Sequence, residues 1–179
     1  QTNDPWYDTA ILAYTTPSSA AFHFTTEGRV AGAVTLSVDL WGVTDWGQSP
    51  DHHALVKLNG AQVGDGVFFD GNDLVTITAN LAEGDLLPGV NTLTVELPGD
   101  TGVDFDLVDV DGFTVEYPRH LVAQGGRLDF TGAGAAFEVQ GLPSADIVVY
   151  RQEGAGLERL VGGVVTEVGP GNFKVTFPG

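Results

Sequence analysis

The sequence predicts an all-β fold: a sandwich of about 115 residues followed by a smaller β-unit of about 60, sizes that suit ordinary domains. Three observations carry this expectation. Apolar residues alternate with polar ones along most of the chain, the period of a half-buried strand. Gly and Pro punctuate these runs at short intervals, with "NG" at 59, "DG" at 65, 70 and 111, and "PG" at 88, 98, 170 and 178. No stretch carries a convincing helical period; the nearest candidate, "ANLAEGDLL" at 79–87, is short and broken by Gly84.

Taken in order, Trp6 and Tyr7 in "DPWYDTAIL" anchor the first strand, and Phe22 and Phe24 flank His23. Val34, Leu36, Val38 and Leu40 face one way, Thr35, Ser37 and Asp39 the other. Ala54, Val56 and Leu58 form an inner row entered by His52, with His53, Leu55 and Lys57 opposite, and the run ends in an Asn-Gly hairpin turn. Val75, Ile77 and Ala79, then Leu93, Val95 and Leu97, give two more strands. Between Leu107 and Tyr117 the phase slips: Val108 and Val110 are even, Phe113, Val115 and Tyr117 odd. A β-bulge or tight turn is expected at Asp111-Gly112. A boundary falls near "EYPRHL", giving residues 1–117 and 118–179 as the two units. Beyond it the chain is richer in Gly and Ala, with shorter runs in "DIVVYR", "RLVGGVVTEV" and "NFKVTF". No internal repeat or low-complexity tract is visible.

Composition narrows function. The 179 residues carry 7 basic and 24 acidic side chains, a formal charge of −17. Such a surface repels nucleic acid and anionic membranes, which need Lys and Arg to neutralise phosphates, and suits neutral ligands such as sugars. No apolar run approaches the roughly 20 residues of a membrane helix. Without cysteine there is no disulfide, thiolate metal site or cysteine nucleophile in this chain. The start at Gln1 without Met reads as a processed or excised fragment.

The adjacent His52 and His53 raise the question of a metal or catalytic centre. Neighbours on a strand point to opposite faces, so the two rings do not readily share one ion. Strand-entry histidines packing or capping a loop is the favoured reading, with His53 retained as a candidate ligand contact. Acids crowd two loops: Asp65, Asp70 and Asp73, then Asp100, Asp104, Asp106, Asp109 and Asp111. Calcium takes 6–8 oxygens from carboxylates and carbonyls, and Asp104, Asp109 and Asp111 are candidate ligands of a structural calcium ion. A solvated acidic surface is the plainer reading, because parity changes between 106 and 109 and no EF-hand spacing is complete. A paired-carboxylate glycosidase needs two differently tuned acids, which the sequence does not single out. Trp41 and Trp46 are candidate sugar contacts through their π faces; packing of their edges under loops is the competing reading. Neither a phosphate-binding glycine loop nor a serine nucleophile elbow occurs.

Three segments carry a resemblance: "DHHALVKLNGAQVGDGVFFDG" at 51–71, "LLPGVNTLTVELPGDTGVDFDLVDVDGFTVEYPR" at 86–119 and "FEVQGLPSADIVVYR" at 137–151. In this order they resemble the region before the catalytic domain of gingipain-type cysteine peptidases, a bacterial family that includes the sortase of the type IX secretion system. The resemblance covers roughly residues 45–179. It implies a jelly-roll sandwich of the galactose-binding-like kind and then a small β-sandwich-like unit, in a secreted or cell-surface bacterial protein. It also implies an adjacent catalytic domain of the same polypeptide as partner. The family's catalytic Cys and His belong to a later α/β domain that this chain lacks, so no catalytic residue is transferred. The expected function is a non-catalytic accessory region that supports the catalytic domain or holds substrate or glycan. The alternative is a calcium-containing carbohydrate-binding module. A stand-alone hydrolase, the third possibility, requires turnover on peptide or glycoside substrates.

Overall fold

The computed structural model describes residues 8–179, so Trp6 and Tyr7 lie outside the described residues. The chain divides into two compact units, Gln1–Pro118 and Arg119–Gly179. Among the described residues every regular element is a strand, and no helix is long and apolar enough to cross a membrane.

Among the described residues the first unit holds nine strands: β1 (Thr9–Ala13), β2 (Ser18–Thr26), β3 (Val34–Gly42), β4 (His52–Leu58), β5 (Ala61–Gln62), β6 (Val67–Phe69), β7 (Leu74–Leu81), β8 (Gly89–Leu97) and β9 (Asp106–Glu116). One sheet has the order β1-β9-β3-β7, the other β2-β8-β4-β5, with β6 also on β4. The pairs nest: β1 with β9, β2 with β8, β3 with β7, β4 with β6, all antiparallel. A long antiparallel ribbon rolled so that successive pairs fall alternately in two sheets is a jelly roll, and the unit is a jelly-roll sandwich. The alternating rows meet between the sheets. Leu36, Val38, Leu40, Val56, Leu93, Val95, Val108 and Val110 are buried, and Phe22, Phe24 and Phe113 pack on their rim.

Two local features follow from the sequence as expected. Asn59 (φ 52°) and Gly60 (φ 86°) connect Leu58 to Ala61 across the β4–β5 hairpin. Two successive positive φ values make a type I′ turn, which Asn-Gly suits because Asn and Gly tolerate that region best. The phase slip in β9 is a bulge and not a turn. Asp39 pairs with Gly112 and Leu40 with Val110, so Asp111 is the extra residue.

The second unit contains β10 (Leu121–Val122), β11 (Ala136–Leu142), β12 (Val149–Glu153), β13 (Gly156–Leu160), β14 (Val164–Gly169) and β15 (Asn172–Pro178). A sheet of order β10-β11-β15-β14 is accompanied by the hairpin β12-β13. The run "RLVGGVVTEV" is not continuous: it breaks at Gly162, in positive φ, and Gly163, between β13 and β14. The core here is small, made of Ala123, Val139, Leu142, Val175 and Phe177.

Candidate functional site

Because strands nest in pairs, the connections β1–β2, β3–β4, β6–β7 and β8–β9 gather at one end of the jelly roll. Here the structure places both histidines and most of the acidic loops. His52 enters β4 on the core face and is wholly buried, as are Asp51 and Asp106. The His52 Nδ1–H donates to Asp106 Oδ1 at 2.6 Å, and Nε2 lies 3.0 Å from both the Thr44 and the Gly71 carbonyl oxygens. These partners are oxygens of a carboxylate and two carbonyls, a set that favours a proton on each ring nitrogen and so the cationic form of the ring. Burial works against that charge. The hydrogen bond to Asp106, the charges of Asp106 and Asp51 and the Thr44 carbonyl outweigh it and raise the His52 pKa above its ordinary value.

The carboxylates knit the loops around this cation. Asp106 Oδ2 accepts from the His53 amide at 3.2 Å. Asp51 accepts from the Gly71 and Trp46 amides at 2.9 and 2.8 Å. Asp70 accepts from the Asp51 amide at 3.2 Å and from the Ser49 hydroxyl at 2.6 Å. Gly42 makes the close approach possible: a Cβ there would fall 2.0 Å from the Gly71 oxygen and 2.6 Å from His52 Nε2. A general base must reach the proton it takes. His52 is sealed from solvent with both nitrogens engaged, so this pair holds loops together and has no route to a substrate.

The candidate residues separate in space. His53, on the outer face of β4, donates Nδ1–H to Asp100 and stacks on Phe68. Trp46 is half-buried; its indole N–H donates to the Phe105 carbonyl at 2.9 Å and its ring meets Phe105 edge-on at 5.0 Å. These contacts anchor its loop to the start of β9. Trp41 is half-buried on the outer face of β3, in register with Leu74 on β7 and Asp109 on β9. The three acids named as calcium ligands do not converge. Asp104 is exposed before β9 begins, Asp109 is half-buried on β9, and Asp111 is the exposed bulge residue. Among the described residues no group of three or more His, Cys, Asp or Glu side chains could hold a metal ion. A six- to eight-oxygen calcium shell therefore does not fit these residues. Asp109 lacks the pull of a neighbouring cation, and burial alone pushes its carboxyl above the usual range.

At the opposite end of the sandwich a buried neutral amide, Asn91, ties the β7–β8 connection. Buried Asn91 donates to the Leu87 and Gly89 carbonyls at 2.8 and 3.0 Å and accepts from the Leu87 amide at 2.8 Å. Its Oδ1 also accepts from the Asn59 side chain at 2.9 Å. The "LNG" and "GVNTL" segments thus meet side chain to side chain. Asn59 Oδ1 accepts from the Thr92 amide at 3.0 Å. What the sequence reading missed is that Asp106 and Asp51 are buried partners of His52. The signal available was an inward parity for Asp106, two residues before Val108.

No protein-family model matches the chain, and no curated protein matches it. Among solved structures, dimeric latent PorU from Porphyromonas gingivalis is similar over 96% of this chain, at 12% identity and a TM-score of 0.55. The chain spans 19% of that protein's length. A family 35 carbohydrate-binding module from Clostridium thermocellum is similar over 66% of this chain and 86% of its own, at 14% identity and a TM-score of 0.41. Carbohydrate-binding module CBM36 in complex with calcium and xylotriose is similar over 61% of this chain and 78% of its own, at 18% identity and a TM-score of 0.38. At these identities the likeness to PorU is one of fold, and it extends through both β-units.

Proposed function

We propose that the chain is the non-catalytic accessory region of a larger secreted or cell-surface bacterial peptidase of the gingipain-like kind. It supports the folding or position of an adjacent catalytic domain. The observation that carries this reading is the order of the two β-units, which is found over 96% of this chain within a 19% stretch of PorU. Two physical features support it. The buried histidine and carboxylates of the loop end are consumed in mutual hydrogen bonds, as in a scaffold. The second unit exposes Tyr150, Leu157, Val161, Val164 and Val168, more apolar surface than its five buried side chains justify, which is the mark of a surface made to be covered.

The test starts from the reading frame beyond Gly179. A following α/β domain with Cys and His is the expected continuation, and deleting residues 1–179 from that protein is expected to abolish soluble, active peptidase. A frame with no such domain, or full activity after the deletion, overturns the reading. The purified chain alone is expected to turn over no peptide or glycoside substrate.

A further inference from the structure

The outer face of the β1-β9-β3-β7 sheet carries an apolar patch with one carboxylate in it. Strand register builds the patch in rows. Ala10, Asp109, Trp41 and Leu74 lie across from one another on β1, β9, β3 and β7. Two residues further along, Leu12 pairs with Leu107, and the Val43 amide donates to the Leu107 carbonyl at 3.0 Å. Beyond these, the Tyr14 ring meets Phe105 with centroids 6.2 Å apart. The alternate residues Ile11, Ala13, Leu40, Val108 and Val110 are buried in the sandwich, so the rows face outward. Four of the seven large apolar side chains that the jelly roll exposes among the described residues fall here: Leu12, Tyr14, Val43 and Leu74. In the other direction the face turns polar at once, where Thr76 donates to Asp39 at 2.5 Å and the Ser37 and Thr78 hydroxyls lie 3.4 Å apart.

Single exposed apolar side chains are ordinary on protein surfaces, whereas a continuous patch rimmed by polar rows marks a surface that meets another protein. Asp109 says what kind of surface that is. It is half-buried in the first row, and among the described residues no donor or cation meets its carboxylate. Burial alone raises its carboxyl pKa, so its charge opposes folding at neutral pH. A residue that breaks a local rule without a compensating contact marks a functional position. The jelly roll does not supply the missing cation. Of its 24 acidic and 7 basic residues the chain places 18 and 2 in residues 1–118, a charge of −16. One of those two bases, Lys57, is paired with Glu96 at 2.6 Å on the other sheet. The other, Arg29, donates to the Leu86 carbonyl in the β7–β8 connection. A second copy is disfavoured, since two chains of −17 repel. The complement is an apolar surface with an arginine or lysine set in it. Resting on the accessory reading, we infer that this face is where the adjacent catalytic domain docks. Apolar side chains of that domain cover Leu12, Tyr14, Val43 and Leu74, and one of its basic side chains pairs with Asp109.

The experiment is hydroxyl-radical footprinting, read by mass spectrometry, of the full polypeptide of the reading frame beside the chain 1–179. Oxidation of Leu12, Tyr14 and Leu74 is expected to fall at least fivefold in the full polypeptide. Phe68, on the other sheet and 58% exposed like Tyr14, is expected to be oxidised equally in both. Leu12→Glu is expected to restore most of the lost oxidation at Tyr14 and Leu74. Asp109→Asn is expected to act with opposite signs: the thermal midpoint of the chain alone rises slightly, while oxidation of the face in the full polypeptide rises at least twofold. An acid with a merely structural role would not separate those two readouts. Three results overturn the inference: equal oxidation of the face in both proteins, protection that neither variant relieves, or protection that grows with protein concentration and so marks a second copy. A frame without a catalytic domain removes this inference together with the accessory reading. If the deletion abolishes the peptidase while the face stays open, this inference alone falls.

Discussion

The two units solve the problem of a β-fold with opposite success. Among the described residues the jelly roll buries nineteen hydrophobic side chains between its two sheets and leaves seven large ones exposed. The unit after Pro118 buries five and exposes eight. Charge divides the same way. The jelly roll carries −16, whereas Arg119–Gly179 holds five of the seven basic residues against six acids and is close to neutral. A strongly charged shell over a full core describes a self-sufficient body. A nearly neutral, apolar surface over a small core describes one that depends on something else for stability, as expected of a unit near 60 residues.

The sharpest way to break this comparison is to separate the units. Residues 8–118 alone are expected to unfold in one cooperative transition by calorimetry. Residues 119–179 alone are expected to bind a hydrophobic dye and show no such transition; a clean one would remove the contrast.

Within the jelly roll, the ion pair comes next. Asp106→Ala leaves the His52 cation buried without its carboxylate, and removing one partner of a buried pair costs about 3–5 kcal/mol. Denaturant titration is expected to show that loss, and the double change His52→Leu with Asp106→Leu is expected to recover much of it. A single change with no effect would mean that the pair does not fasten the loop end.

The pH dependence has a definite sign. The folded His52 pKa lies above its ordinary 6.5, so the pair's contribution is complete below that pH and fades as pH rises through the folded value. The jelly roll is therefore expected to lose stability from about pH 6.5 upward, and His52→Gln to flatten that slope. The hydrogen bonds of the Asn91 side chain itself involve no titrating group, so Asn91→Ala is expected to lower stability without altering the slope.

The smallest effect is expected at Asp109. Burial raises its carboxyl pKa, so ionisation opposes folding once pH passes the unfolded value, and the penalty persists at neutral pH. Asp109→Asn is expected to raise the thermal midpoint slightly at pH 7 and to leave it unchanged at pH 3.

Strand rows were legible wherever alternation was strong. Val34 to Leu40 and Leu93 to Leu97 bury the residues their parity assigns. The bulge at Asp111 was legible because one extra residue must shift the phase of everything after it. The site was read less well. Parity put His52 on the core face, yet nothing local to position 52 points to Asp106, 54 residues away, or to the carbonyls of Thr44 and Gly71. Among the acids of 104–111, parity already showed that the side chains do not all face one way, but it did not show that Asp106 turns inward to meet His52. The apolar row around Asp109 passed unnoticed, since it joins residues of four strands and not neighbours along the chain.

By itself, the sequence determined the strand periods, the Asn-Gly turn, the acidic shell and the absence of a cysteine nucleophile, because each depends on composition or on residues a few positions apart. Tertiary structure alone decided which carboxylates meet a cation, that Trp46 is tied to Phe105, and that Asp109 lies in an apolar row drawn from four strands. These depend on how a rolled ribbon brings distant loops to one end, and pairing between strands far apart in the chain sets that convergence.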